Sequence, residues 1–71
     1  MSFRTGTRVE WNDGIGTETG QVVRQYTHPV TMSFDGDEIT CDGCTDDPAY
    51  RIERADGDQV LQPQSALTRA S

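Results

Sequence analysis

Cys41 and Cys44 are separated by Asp42-Gly43, the spacing by which two thiolates on one tight turn grip a zinc ion. Gly43 would permit that turn. A tetrahedral site needs four ligands, and the chain offers two cysteines and a single histidine, His28. The remaining ligands would have to be His28 with an aspartate, or the same pair from a second copy of the chain. The pair has a redox reading too, but a reactive C-x-x-C thiol gains acidity from a helix N-terminus, and no helical pattern follows here. In the third reading these are two reduced thiols in a polar loop. Two cysteines do not make the disulfide framework of a small secreted domain.

Other chemistry is harder to assemble. His28 precedes Pro29 between two strand-like runs, and a general base needs a positioned partner that nothing nearby supplies. No serine sits in a nucleophile-elbow spacing. Gly14-Ile15-Gly16 opens no helix and lies among acids, so it is not a phosphate loop. The acids from Asp42 to Asp47 lack the ligand spacing of a calcium hand. The chain therefore reads as a non-enzyme without a cofactor, zinc being the alternative. Trp11, Tyr26, Phe34 and Tyr50 are rings that could attract a cation through their faces. A small domain also needs its large rings as core, and that use comes first.

The elements that must position these residues are short. Seventy-one residues make one domain, 1–71, with a core over about 3–67. Hydrophobic residues are 32% and mean hydropathy is −0.71, so the core is thin. No apolar run exceeds two residues, which excludes a transmembrane helix and a signal peptide and leads us to expect a cytoplasmic protein. Twelve acids face six bases, all arginine, for a net charge of −6. That balance disfavours nucleic acid, whose binding rests on phosphate neutralisation.

No window holds apolar residues at helical spacing; short alternating runs between turn residues appear instead. Val9 and Trp11 alternate with Arg8 and Glu10, and Asn12-Asp13-Gly14 ends that strand. Gln21 to Tyr26 form a second, whose adjacent Val22 and Val23 predict a bulge. Val30, Met32 and Phe34 form a third. Asp35-Gly36 is a two-residue hairpin turn, which pairs Met32 with Ile39 and Thr31 with Thr40. Cys41 to Pro48 read as a loop. Tyr50 and Ile52 start another strand, which turns at Asp56-Gly57, returns through Val60 and Leu61, and stops at Pro63. Ser65-Ala66-Leu67 make one helical turn, and the residues after it fray. Val9, Val22, Met32, Ile39, Ile52, Val60 and Leu67 face inward. Five or six such strands are too few for a sandwich, so an all-β, SH3-like barrel is expected.

Four segments carry a resemblance: Gly6-Thr7-Arg8-Val9-Glu10-Trp11, Gly20-Gln21-Val22-Val23, Asp46-Asp47-Pro48-Ala49-Tyr50, and Asp56-Gly57-Asp58-Gln59-Val60-Leu61 ending in Ser65-Ala66-Leu67. In this order, over about Phe3 to Leu67, they resemble the hypervirulence-associated TUDOR-domain family of small bacterial, archaeal and fungal proteins. The Asp-Asp-Pro-Ala-Tyr segment is the most specific. The resemblance implies a Tudor-like, SH3-like barrel and no particular activity, cofactor or ligand. Cys41 and Cys44 depart from the family pattern, so what they do is particular to this chain.

The expected function is a small binding or adaptor module whose acidic surface favours a cationic peptide or protein. Trp11, Tyr26, Tyr50, Asp46 and Asp47 are the candidate ligand residues, on a surface at one end of the barrel. The Trp11–Gly20 and Cys41–Pro48 loops would form it, contributing Asn12, Asp13, Glu18 and Asp42 as well. The first alternative is a zinc-binding or redox-responsive protein using Cys41, Cys44 and His28, monomeric or a dimer that shares a metal. The second is nucleic-acid binding, which would need Arg4, Arg8, Arg24, Arg51, Arg54 and Arg69 to cluster.

Overall fold

A computed structural model describes residues 3–34 and 36–70. Its strands are β1 (Arg8–Asn12), β2 (Thr17–Tyr26), β3 (Pro29–Phe34), β4 (Asp37–Asp42), β5 (Ala49–Arg54), β6 (Gln59–Pro63) and β7 (Thr68–Arg69). A 3-10 turn, Gln64–Ala66, joins β6 to β7. Five strands form an antiparallel sheet in the order β6-β5-β2-β1-β7, and β3 pairs only with β4 in a hairpin inserted between β2 and β5. This is a small all-β, Tudor-like architecture. No helix among the described residues is long and apolar enough to cross a membrane.

Seven strands appear among the described residues where five or six were expected, because two segments with little apolar signal pair through their backbones. Thr68 and Arg69 are exposed, yet they lie opposite Glu10 and Val9. They are paired into the sheet rather than loose ends, directly after buried Leu67. Thr17 to Gly20 likewise extend β2 beyond Gln21 by pairing with Asn12 to Val9. Gly20 is required there: a Cβ would meet Ile52 Cγ2 at 2.6 Å and the Glu53 carbonyl oxygen at 2.7 Å.

The hairpins follow their turn chemistry. Gly36 and Gly57 have φ of +86° and +92°, a region that glycine enters without steric cost. Met32 lies opposite Ile39, and Thr31 opposite Thr40, with their hydroxyls 2.8 Å apart. Asp35 and the Phe34 side chain lie outside the described residues. Pairing of β2 with β5 shifts between Val22 and Arg24, so Val23 is the extra residue of a bulge.

Ala49 and Tyr50 are adjacent on β5 and both fully buried. Neighbours on a strand project to opposite faces, so this sheet carries a core on each side. Val9, Trp11, Val22, Tyr50, Ile52 and Leu67 form the first, with Phe3 and Val60 packed against it. Tyr26, Ala49 and Leu61 form the second, covered by Val30, Met32 and Cys41 of the β3–β4 hairpin. Each fully buried valine or isoleucine contributes about 1.5–3 kcal/mol. Ile39 departs from expectation. It shares the inner hairpin face with Met32 but remains 38% exposed, because the apolar patch of Ala49 and Leu61 lies under the hairpin's base.

Candidate functional site

The Asp46-Asp47-Pro48-Ala49-Tyr50 segment is tied into the fold at almost every residue. Asp47 Oδ1 accepts a hydrogen bond from the Ser65 amide at 2.9 Å, and Oδ2 accepts one from the Ser65 hydroxyl at 3.0 Å. The Pro48 carbonyl accepts from the Gln64 amide at 2.8 Å, and the Asp47 carbonyl from the Cys44 amide at 3.2 Å. Gly43 is buried in this corner, where a Cβ would lie 2.8–2.9 Å from the backbone of Tyr26, His28 and Ala49. The Tyr50 ring packs edge-on to Phe3 at 5.5 Å. Its hydroxyl accepts from the Phe3 amide at 3.0 Å and from Gln25 Nε2 at 2.9 Å, and donates to Gln64 Oε1 at 2.9 Å. A phenol has one proton and two lone pairs, so no capacity is left for a ligand.

The five candidate ligand residues are not gathered in one place. Trp11 and Tyr50 belong to the first core and Tyr26 to the second. Tyr26 carries the Arg24 guanidinium 5.4 Å from its centroid and His28 edge-on at 6.0 Å. Asp46 is exposed, while Asp47 is engaged with Ser65. The two loops expected to share one end of the barrel enter at opposite ends of β2: the first at Thr17, opposite Asn12, and the second before Ala49, opposite Tyr26. The 3-10 turn links them, with Ser65 held by Asp47 on one side and Ala66 beside Trp11 on the other.

Cys41 and Cys44 diverge. Cys41, the penultimate residue of β4, packs against the second core, and burial pushes its thiol pKa up, helped by the charges of Asp42 and Asp47. Cys44 is exposed, its Sγ 4.0 Å from the Asp47 carbonyl oxygen. His28 Nδ1 lies 3.0 Å from the Pro29 carbonyl oxygen. Among the described residues no three side chains of His, Cys, Asp or Glu converge as metal ligands.

A model of the TUDOR domain of hypervirulence-associated proteins matches residues 6–67. The chain belongs to that family. No curated protein and no solved structure matches it. In this TUDOR domain the most specific motif does structural work: Asp47, Pro48, Ala49 and Tyr50 fix the 3-10 turn and both cores.

What the TUDOR domain leaves open lies elsewhere. Glu10, Trp11, Asn12, Thr17, Ala66 and Thr68 line an open cavity of about 280 Å³. Trp11, one of the aromatic candidates, and its β1 neighbour Glu10 are both among these lining residues. A second, larger cleft of about 400 Å³ runs between Ser33 of β3 and Arg51, Arg54, Gln59 and Val60 of the β5–β6 hairpin. Arg54 is a hub that sequence reasoning missed. Its terminal nitrogens reach Asp56 at 3.1 Å, Asp58 at 3.3 Å and Glu18 at 3.9 Å. The alternation Arg54-x-Asp56-x-Asp58 across a turn was the available signal. Three carboxylates thus surround the Arg54 guanidinium. Arg24 and Arg51 oppose each other across β2 and β5, but one head turns to Tyr26 and the other to Gln59.

Proposed function

We propose that this TUDOR domain is a non-catalytic binding module that takes a cationic side chain of a protein or peptide partner into the Trp11 cavity. One observation carries the reading: Trp11, 5% exposed overall, and the acidic residue Glu10 are both among the residues that line an open cavity. An aromatic face attracts a guanidinium or ammonium by about 0.5–2 kcal/mol, more when the cation is desolvated. A neighbouring carboxylate adds charge-assisted hydrogen bonds that a guanidinium meets in a fork. The surplus of six acids over bases favours cationic partners at long range. A single side chain in so small a site binds with a Kd on the order of millimolar, so affinity must come from more of the partner.

Trp11 is the chain's one tryptophan, so its emission reports the cavity directly. Titration with argininamide should shift that emission, and Glu10→Gln should weaken the response about fivefold or more without altering the fold. An unchanged emission, or equal response in the two proteins, overturns the proposal.

A further inference from the structure

The wall of the Trp11 cavity is also a strand edge. Residues of one strand point their main-chain groups alternately to the two sides, and the hydrogen bonds fix the phase on β1. Thr7 accepts from Val22 of β2 at 2.9 Å, while Arg8 accepts from Ala70, beyond β7, at 2.9 Å. Odd positions therefore face β2, and Arg8, Glu10 and Asn12 face the opposite side. β7 covers that side only at Val9 and Glu10, because the chain before Thr68 turns away into the 3-10 turn. The amide and carbonyl of Asn12 thus point along the track of β7, where no strand of the described residues lies, toward the cavity that Asn12 lines with Ala66 and Thr68. Its side chain is turned elsewhere, with Oδ1 accepting from the Gly14 amide at 2.8 Å. At the other edge of the sheet, β6 has β4 packed beside it.

We infer that the partner binds as an extended segment that adds to β1 along the track of β7, hydrogen-bonding to the Asn12 backbone and placing a cationic side chain in the Trp11–Glu10 cavity. The inference rests on the cavity reading above and adds the conformation of the partner. A strand supplies its main-chain donor and acceptor to an open rung, and its alternating side chains set which residue enters the neighbouring pocket. Charge selects the occupant. The cavity lining includes Glu10 and no arginine, Asp13 lies in the adjoining β1–β2 hairpin, and a basic strand is the complement. The turn beyond Asn12 is already braced, with Asp13 Oδ1 accepting from the amides of Ile15 and Gly16 and the Asp13 amide donating to the Gly16 carbonyl. The rung is therefore held in place before a partner arrives.

The test leaves the protein intact and alters the probe. Acetyl-Thr-Thr-Arg-Thr-Thr-amide, its four variants N-methylated at one threonine each, and argininamide are titrated against the full chain. Trp11 emission and exchange of the Asn12 amide are followed. The expected result is peptide binding at least tenfold tighter than argininamide, slowed exchange at Asn12, and a fivefold or greater loss for N-methylation at one parity only. If argininamide binds but the peptide gains nothing, or all N-methylated variants bind equally, strand addition fails and the cavity reading stands. If the peptide binds with the parity pattern while argininamide does not bind, the strand stands and the cavity reading fails. Binding by neither overturns both. Dimerisation that excludes the peptide as protein concentration rises assigns the edge to a second copy and overturns the inference.

Discussion

The two sides of the 3-10 turn treat their polar groups in opposite ways. On one side Asp47, Ser65, Gln64 and Tyr50 close a network in which each hydroxyl and carboxylate group finds a partner within the chain. On the other side Trp11, Glu10 and Asn12 border a cavity, and among the described residues β7 pairs with β1 at Val9 and Glu10 but not at Asn12. Polar capacity used internally fixes the fold; capacity left over at a pre-set position is what a partner can use. The side that holds the Asp-Asp-Pro-Ala-Tyr motif is therefore the one whose polar groups are already engaged.

Removing the Tyr50 hydroxyl should produce the largest break in this contrast. Tyr50→Phe keeps the ring against Phe3 but strands the Phe3 amide, Gln25 Nε2 and Gln64 Oε1. An orphaned buried group costs about 1–3 kcal/mol. These three are only partly buried and water recovers some of the loss, so about 2–3 kcal/mol in total is expected. That is a large share of the roughly 4–11 kcal/mol available to a domain of this size. Urea unfolding measures it. A midpoint unchanged from wild type would show that the hub is ornamental and that the Tyr50 side could host a ligand after all.

A smaller effect should follow from opening the latch at Asp47. Asp47→Ala removes the acceptor for both the amide and the hydroxyl of Ser65, an arrangement equivalent to a helix cap and worth about 1 kcal/mol. Ser65→Ala should cost less, because the amide keeps its partner. A double-mutant cycle on Asp47 and Ser65 should give a coupling of about 0.5–1 kcal/mol. Trp11 emission should barely move, since the latch lies on the other side of the turn. A strong change in emission would mean that the two sides are one unit.

Much of this was legible from residues with local rules. Asp35-Gly36 fixed the register of β3 against β4, the paired valines marked the bulge, and Pro63 ended β6. Inward positions were read correctly where one face alone decides burial, as at Val9, Val22, Ile52 and Leu67. Ile39 was misread because alternation gives a face but not how far the opposing surface extends. β7 was invisible because Thr68 and Arg69 pair through backbone alone. The site was less legible still. The Asp47–Ser65 and Tyr50–Gln64 contacts span 18 and 14 residues, and the cavity at Trp11 joins β1 to a turn more than fifty positions away in sequence. Asp46-Asp47 looked like a free acidic pair, and only the fold shows that one of the two is committed.

The Arg54 cluster sharpens the same contrast at its weakest point, because its charges are paired but exposed. The Asp58 amide donates to Asp56 Oδ1 at 3.0 Å and, with Arg54 adding a charge-assisted bond, holds the Asp56 carboxyl below its usual value of 3.8. In return Asp56, first by its hydrogen bond and then by its charge, raises the Arg54 pKa. A carboxyl depressed in the folded state stabilises the fold above its unfolded pKa, and the contribution is lost as pH falls through the folded value. Wild type should therefore lose stability on acidification below about pH 4, the ordinary aspartate range, beyond what Asp56→Asn loses. The gap between the two should be widest near neutrality and close in strong acid. It should also shrink in high salt, as exposed ion pairs are screened. Urea midpoints of the two proteins at several pH values, in low and high salt, decide it. Parallel curves at every pH would mean that the Arg54 carboxylates are as uncommitted as those at the Trp11 cavity, and the β5–β6 turn would then join that cavity as an open acidic surface.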